Sequence, residues 1–378
     1  MAGAPAADLA AAVDAREPLS RRRALHGVGL RSLLVLIATL FALAASEAVL
    51  RGLGVGTFAQ RSELVGQVPH IIRDADLGWA LKPGLAEFAI NSAGVRSPHE
   101  FTPARNGKPR IALLGDSVLY GKGDAWAESA AGQLEQMLGG AERVEVLNFS
   151  VPGYGTDQEW LCYRRKVRSY KPDWVVVGVA LCNDVGNNCY DTQYGTPKPK
   201  FELRGGRLVQ VASPRDHALL CVWRQRSSLV NALWLATHRA ANTEQMSRFC
   251  IDERNPTYAA GLRLTLALLR ELISDIRRDG AKPLILLLPY QTMLTNHDHA
   301  DNPLRREVVR FGSRADVPVL DLLGAFREQR EAALFLPKDI YHYGGRGHEL
   351  VAEAVVERYR ASEGPNHAIA VNRSPGDY

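Results

Sequence analysis

Residues 111–117 read Ile-Ala-Leu-Leu-Gly-Asp-Ser, an unbroken apolar run followed by a glycine, an acid and a serine. A run this short and this apolar predicts a strand covered on both faces. A helix is expected next, over Asp124–Leu138, and the same alternation then repeats along the chain. Val144–Leu147 reads as a second strand and Thr156–Ser169 as a helix. Trp174–Leu181 is a third strand, nearly all apolar. Asn255-Pro256 has the chemistry of a helix start, with Asn as cap and Pro in the first turn. Leu262, Leu266, Leu269, Ile273 and Ile276 then recur at helical spacing, and Gly280 closes the helix. Leu284–Leu288 and Val317–Leu320 are the fourth and fifth strands, and a last helix covers about residues 347–360.

Strands alternating with helices predict an α/β fold, a parallel sheet with helices on both faces. Chemistry in such sheets sits outside the carboxyl ends of the strands. Residues 183–255 break the alternation and read as an insertion at that same end. Residues 52–106 carry many Gly and Pro with short alternating pieces such as Glu87–Ile90, which predicts a lead-in of strands and turns.

The placement of polar residues follows the same logic. Ser117 stands just past the first strand, where its hydroxyl is presented at the active edge of the sheet. Such a hydroxyl needs a base, and the base needs a group to orient it. Asp339-Ile340-Tyr341-His342 stands just before the last helix. Its spacing lets Asp339 accept a bond from the His342 ring, leaving the other ring nitrogen for the Ser117 proton. An oxyanion would need donors where its charge develops. The glycines of Asn148-Phe-Ser-Val-Pro-Gly153-Tyr-Gly155 follow the second strand and let backbone N–H groups turn to the site. Asn183 follows the third strand and offers a side-chain amide.

Other polar clusters read as structural. His297-Asp298-His299-Ala300-Asp301 has metal-like composition, but spacing places no third ligand. His348 lies inside the last helix, which favours a packing role over that of base. Asp184 reads as a structural hydrogen-bonding group. Tyr154, Trp126 and Tyr343 flank the site, as pocket wall or as core. No metal and no cofactor are expected.

Taken together, these blocks resemble the SGNH hydrolases, the GDSL-type esterase and lipase superfamily. Ser117, Gly153, Asn183 and His342 with Asp339 match its four blocks over about residues 109–360. The resemblance implies a three-layer α/β/α flavodoxin-like fold with five parallel strands in the order 2-1-3-4-5. It implies Ser117 as nucleophile, His342 as base, Asp339 as its orienting acid, and an oxyanion hole from Ser117, Gly153 and Asn183. Val118 departs from the leucine of the eponymous motif, which bears on the local substrate wall. Asp76-Leu-Gly-Trp79, Asn91-Ser-Ala-Gly94-Val-Arg96 and Gly153-Tyr-Gly-Thr-Asp-Gln158 further resemble membrane-anchored bacterial members. The expected activity is hydrolysis of a carbohydrate or lipid O-acyl ester through a seryl-acyl intermediate. An O-acyltransferase acting on an exported polysaccharide and a non-catalytic carbohydrate-binding relic are the alternatives.

Arg21, Arg22, Arg23 and Arg31 precede Ser32–Ser46, fifteen residues without a charge. Residues 28–50 approach the ~20 apolar residues of a membrane span if Arg31 and Glu47 snorkel at its two faces. A cleaved signal peptide is the rival, with Ala42-Leu43-Ala44 as its small-x-small site. The arginines predict a cytoplasmic N-terminus and an extracytoplasmic (periplasmic or cell-surface) catalytic domain. The expected organisation is a disordered basic leader over 1–27, an anchor over 28–50, a lead-in over 52–106, a hydrolase domain over 107–362 and a tail over 363–378. Net charge is +5, of which the first 31 residues hold +2 (five Arg against three acids). The rest makes no basic footprint, so nucleic acid is not an expected partner. The expected partners are a small-molecule or glycan ester and the membrane. Five cysteines without CxxC spacing point to neither zinc nor a thioredoxin-like site. Cys189–Cys221 and Cys221–Cys250 bridges, or five buried thiols, are all compatible with the sequence.

Overall fold

The computed structural model describes residues 19–57, 68–237, 256–329 and 332–363. Strands β1 (Ile71–Asp74) and β2 (Gly78–Leu81) form an antiparallel hairpin in the lead-in. The sheet that organises the chain contains β3 (Arg110–Leu114), β4 (Glu145–Asn148) and β5 (Trp174–Ala180). The insertion adds hairpins β6 (Thr192–Gln193) with β7 (Thr196–Pro197), and β8 (Lys200–Arg204) with β9 (Arg207–Ala212). The sheet is completed by β10 (Lys282–Leu288) and β11 (Val319–Asp321). Its order is β4-β3-β5-β10-β11 with every pairing parallel, the expected 2-1-3-4-5 arrangement.

Beyond the first residues Arg110 of β3 and Lys282 of β10, the central strands are apolar because alternate side chains feed two different cores. Ala112, Leu114, Val175, Val177, Ile285 and Leu287 point to one face, where helices Thr156–Arg165, Pro256–Arg278 and Pro303–Ala315 pack. Ile111, Leu113, Val176, Leu284 and Leu286 point to the other, under Ala130–Met137, Leu323–Glu328 and Gly345–Glu363. Val175, Val176 and Val177 are all fully buried. Each contributes ~1.5–3 kcal/mol by leaving water, so a charge at any of them would break the sheet centre.

Several expected boundaries shift. The helix predicted from Asp124 starts only at Ala130, because Ser129 caps it, its Oγ accepting from the Gly132 N–H at 3.3 Å. Trp126–Glu128 is instead a 3-10 turn. The helix from Thr156 ends at Arg165 and a 3-10 turn follows over Val167–Tyr170. Glu87–Ile90 is not a strand: Ala86–Phe88 is a 3-10 turn, and Ala89 at φ 51° reverses the chain.

The lead-in shares the main core. Trp79 is fully buried, and its indole N–H donates to the Pro152 carbonyl at 2.9 Å. Tyr154 Oη donates to the Trp79 carbonyl at 2.7 Å. A 34-residue helix, Leu19–Gly52, precedes the lead-in. Its stretch Leu30–Gly52, whose most apolar 18 residues have mean hydropathy 2.4, is long and apolar enough to cross a membrane and is exposed along most of its length. Cys189 is in no disulfide, so the Cys189–Cys221 bridge is not formed. Residues 19–27, expected within a disordered leader, belong instead to the helix Leu19–Gly52, which continues the apolar stretch towards the N-terminus. Residues 1–18, Asn255, Cys250 and the tail from residue 364 lie outside the described residues.

Candidate active site

The first strand delivers Ser117 by a sharp turn. β3 ends at Leu114, and Ser117 opens the short helix Ser117–Tyr120. Asp116 is extended (φ −96°, ψ −152°) and caps that helix, its Oδ1 accepting from the Val118 N–H at 2.8 Å. Gly121 at φ 82° ends the helix. A Cβ there would lie 2.8 Å from the Ser129 side chain and 2.9 Å from the Arg96 guanidinium. Only glycine satisfies both the conformation and the space.

The structure brings together three residues from opposite ends of the chain. Ser117 Oγ lies 2.8 Å from His342 Nε2, across 225 residues of sequence. His342 Nδ1 lies 2.6 Å from Asp339 Oδ2. Asp339 Oδ1 accepts from the N–H groups of Tyr341 at 2.9 Å and His342 at 3.1 Å. The carboxylate is thereby fixed by its own loop before it orients the ring. Partial burial opposes ionisation of Asp339, but the Tyr341 N–H, the His342 ring and the His342 N–H outweigh it and hold the carboxyl below its usual range. The Ser117 residue is 9% exposed and the side chains of His342 and Asp339 12% and 28%, so the row is sheltered at the serine and most open at the carboxylate.

The two loops expected to supply oxyanion donors both border Ser117. Phe149 donates to the Leu113 carbonyl at 2.9 Å and Val151 to the Gly115 carbonyl at 3.1 Å. The Gly153 loop is thus stitched to the turn carrying the serine. Gly153 has φ 79°, and among the described residues neither its N–H nor that of Ser117 donates a hydrogen bond. Asn183 Nδ2 donates to Asp116 Oδ2 at 2.9 Å, which leaves its second amide hydrogen uncommitted by that bond.

Behind this row lies a buried polar layer, of which the sequence pattern assigns a role only to Asp184. Arg96 is 3% exposed and donates to the carbonyls of Tyr120, Gly121 (2.7 Å) and Asp124 (2.6 Å). Its guanidinium lies 4.2 Å from the Tyr120 ring centroid. The lead-in therefore clamps the carboxyl end of the serine helix, where orphan carbonyls favour a cation. Asp157, Glu159 and Asp184 are buried beside Asp116. Burial, then the charges of Asp116 and Asp157, push Glu159 well above the usual carboxylate range. Lys198 from the insertion is fully buried and bonds to Asp157 and to the Asn187 carbonyl at 2.9 Å. Asp116, a capping residue immediately before a helix, is a further local signal in the sequence.

The secondary candidates settle as follows. His348 is 1% exposed, lies under the Tyr343 ring and sits 3.4 Å from Asp124 Oδ2. Burial, then Arg96 and His342, push its pKa down to about 3, so this contact is not an ion pair at neutral pH. His299 Nδ1 lies 3.1 Å from both Tyr290 Oη and Thr292 Oγ1. Among the described residues no group of three or more His, Cys, Asp or Glu is arranged to hold a metal ion. Asp184 accepts from the Ala180 N–H at 3.1 Å. Tyr154 and Tyr343 are buried in the core.

A serine at the carboxyl edge of a parallel sheet, beside a histidine held by a carboxylate, defines the class of serine hydrolases acting on esters. Residues 113–350 match the model of the GDSL-like Lipase/Acylhydrolase family, and the chain belongs to that family. No curated protein matches the chain. Among solved structures, it is similar to the lipase/acylhydrolase of Enterococcus faecalis at 16% identity, covering 67% of this chain and 96% of that one, with a TM-score of 0.41. An acetylxylan esterase of Geobacillus stearothermophilus is similar at 16% identity, over 68% of this chain and 95% of that one, with a TM-score of 0.39.

Proposed function

We propose that the protein is a membrane-anchored serine esterase that cleaves an O-acyl ester of a carbohydrate or lipid outside the cytoplasmic membrane. The observation that carries this reading is the continuous row Ser117 Oγ, His342 Nε2, His342 Nδ1 and Asp339 Oδ2, with contacts of 2.8 and 2.6 Å.

In the first step His342 Nε2 takes the Ser117 proton as Oγ attacks the ester carbonyl carbon. Asp339 holds the ring in the tautomer this requires and stabilises the imidazolium that forms. Negative charge grows on the carbonyl oxygen, where the N–H groups of Ser117 and Gly153 and the Asn183 amide receive it. His342 then gives its proton to the departing alcohol, leaving a seryl ester. Water, deprotonated by His342, attacks that ester, releases the acid and restores Ser117.

The extracytoplasmic location is supported by the apolar stretch Leu30–Gly52 behind the arginine cluster. The test of the chemistry is labelling by a fluorophosphonate probe together with hydrolysis of p-nitrophenyl acetate. The wild type is expected to label and turn over, and Ser117→Ala to do neither while unfolding at the same temperature. Wild-type activity in Ser117→Ala would overturn the proposal.

A further inference from the structure

The long helix is not loosely tethered to the catalytic domain. Glu47, in its last turns, accepts from the N–H groups of Ser228 and Leu229, both at 2.9 Å, and from Ser227 Oγ at 2.8 Å. It caps the helix Ser228–Thr237 of the insertion from outside, meeting the orphan donors and the positive end of the dipole. Arg51 donates to the Arg226 carbonyl at 2.8 Å, and Asn231 Nδ2 to the Gly56 carbonyl at 3.2 Å. Four hydrogen bonds to the long helix and one to the chain just after it therefore fix its end against the junction of Ser228–Thr237 with the preceding helix, Ala218–Arg226.

Ala218–Arg226 is amphipathic in the inverted sense for a soluble domain. Its Arg224 is fully buried, donating to Asn231 Oδ1 at 3.1 Å and the Gly195 carbonyl at 2.9 Å, with its guanidinium over the Trp234 ring. Leu219, Val222 and Trp223, at i, i+3 and i+4, instead face outward, exposed by 82%, 42% and 62%. A contiguous apolar helix face this exposed marks an interaction site.

We infer that Ala218–Arg226 is a second membrane contact, lying in the bilayer interface beside the anchor with Leu219, Val222 and Trp223 turned into the lipid. The inference rests on the reading of Leu30–Gly52 as a membrane span. Continuity selects lipid as the occupant. Glu47 is 17 residues beyond Leu30, ~26 Å along the helix at 1.5 Å per residue, against a hydrocarbon layer of ~30 Å. Whatever Glu47 and Arg51 hold is therefore held at the headgroup boundary. Leu53, 74% exposed, extends the apolar surface of the anchor to the same level. Tryptophan is the side chain enriched at that depth, and Arg226 on the same helix suits the phosphate layer. The domain would then stand on two supports, which fixes its orientation as well as its height.

The test is photo-crosslinking in the full-length protein, in vesicles of phosphatidylethanolamine and phosphatidylglycerol with a traceable acyl chain. Benzoylphenylalanine is introduced in turn at Trp223, at Leu219, at Phe41 of the anchor and at Leu203 of the β8–β9 hairpin. Lipid adducts are expected at positions 223, 219 and 41, with position 203 at least tenfold lower. Adducts at 41 without adducts at 223 and 219, or adducts to protein at those two, would overturn the second contact and leave the anchor standing. Absence of lipid adducts at 41 would remove the anchor, and this inference with it.

Discussion

Asn183 reaches back to Asp116, the residue before Ser117, with 2.9 Å between amide and carboxylate. One residue from the end of the third strand is thus locked to the turn at the end of the first. This bond sets the direction of the remaining amide hydrogen, and so the position of any oxyanion it could serve.

Asn183→Ala is expected to lower kcat for p-nitrophenyl acetate by roughly 10²–10³ with little change in KM, the usual result of removing one oxyanion donor. Steady-state kinetics on the purified variant checks this. A rise in KM at constant kcat would assign the amide to binding instead.

His342→Ala is expected to reduce turnover by at least about 10⁴-fold, because the members of such a row act as a unit. His348→Leu should retain activity within a factor of about ten, since burial and packing on Tyr343 define its role. The paired kinetics separate the two histidines, and equal losses would make His348 the base.

Arg96→Ala removes the donor shared by the Tyr120, Gly121 and Asp124 carbonyls. Leaving such groups unsatisfied costs ~1–3 kcal/mol each, so a loss of about 3 kcal/mol or more is expected in urea unfolding. Arg96→Lys should recover part of it but not the forked geometry. Because the carbonyls belong to the end of the Ser117 helix, kcat should fall in both variants.

The His348–Asp124 pair predicts a pH signature. His348 titrates at about 3 when folded against an ordinary value of 6.5, so the unfolded chain binds the extra proton in that window. Stability from this group is present above pH 6.5 and is lost as pH falls through the window, by on the order of 5 kcal/mol. Burial, with Glu128 adding to it, raises Asp124 to about 6, so the folded chain holds its proton between about 3.8 and 6 and opposes that loss. Thermal melts from pH 7 to 4 should show a flattened acid limb for His348→Leu and a steeper one for Asp124→Asn. Parallel limbs in all three proteins would remove the pair as the cause.

Much of the sheet was legible because burial on both faces forces continuous apolar runs, as in Trp174–Leu181. Helix ends were less so: Ser129 competes with Asp124 as a start, and the cap that Ser129 provides to the Gly132 N–H decides between them. Ser117, Asp339 and His342 could be singled out from their places at strand ends and from a three-residue spacing. Arg96 was legible only as part of the Asn91–Arg96 motif and Lys198 not at all, since the carbonyls Arg96 meets lie 24 to 28 residues away and the acid Lys198 meets lies 41 away, with no periodicity to mark them. Glu47 was read as a charge at the membrane surface; its service as a cap for Ser228–Thr237 depends on a contact across 181 residues.

The burial of Lys198 against Asp157 bears on how this scaffold can be re-engineered. A graft that drops Lys198 would strand Asp157 uncompensated beneath the Gly153 loop, at ~3–5 kcal/mol. The segment around Lys198 is therefore transplantable only as a lock with its key: it must travel with an acid at position 157, or both positions must become apolar together.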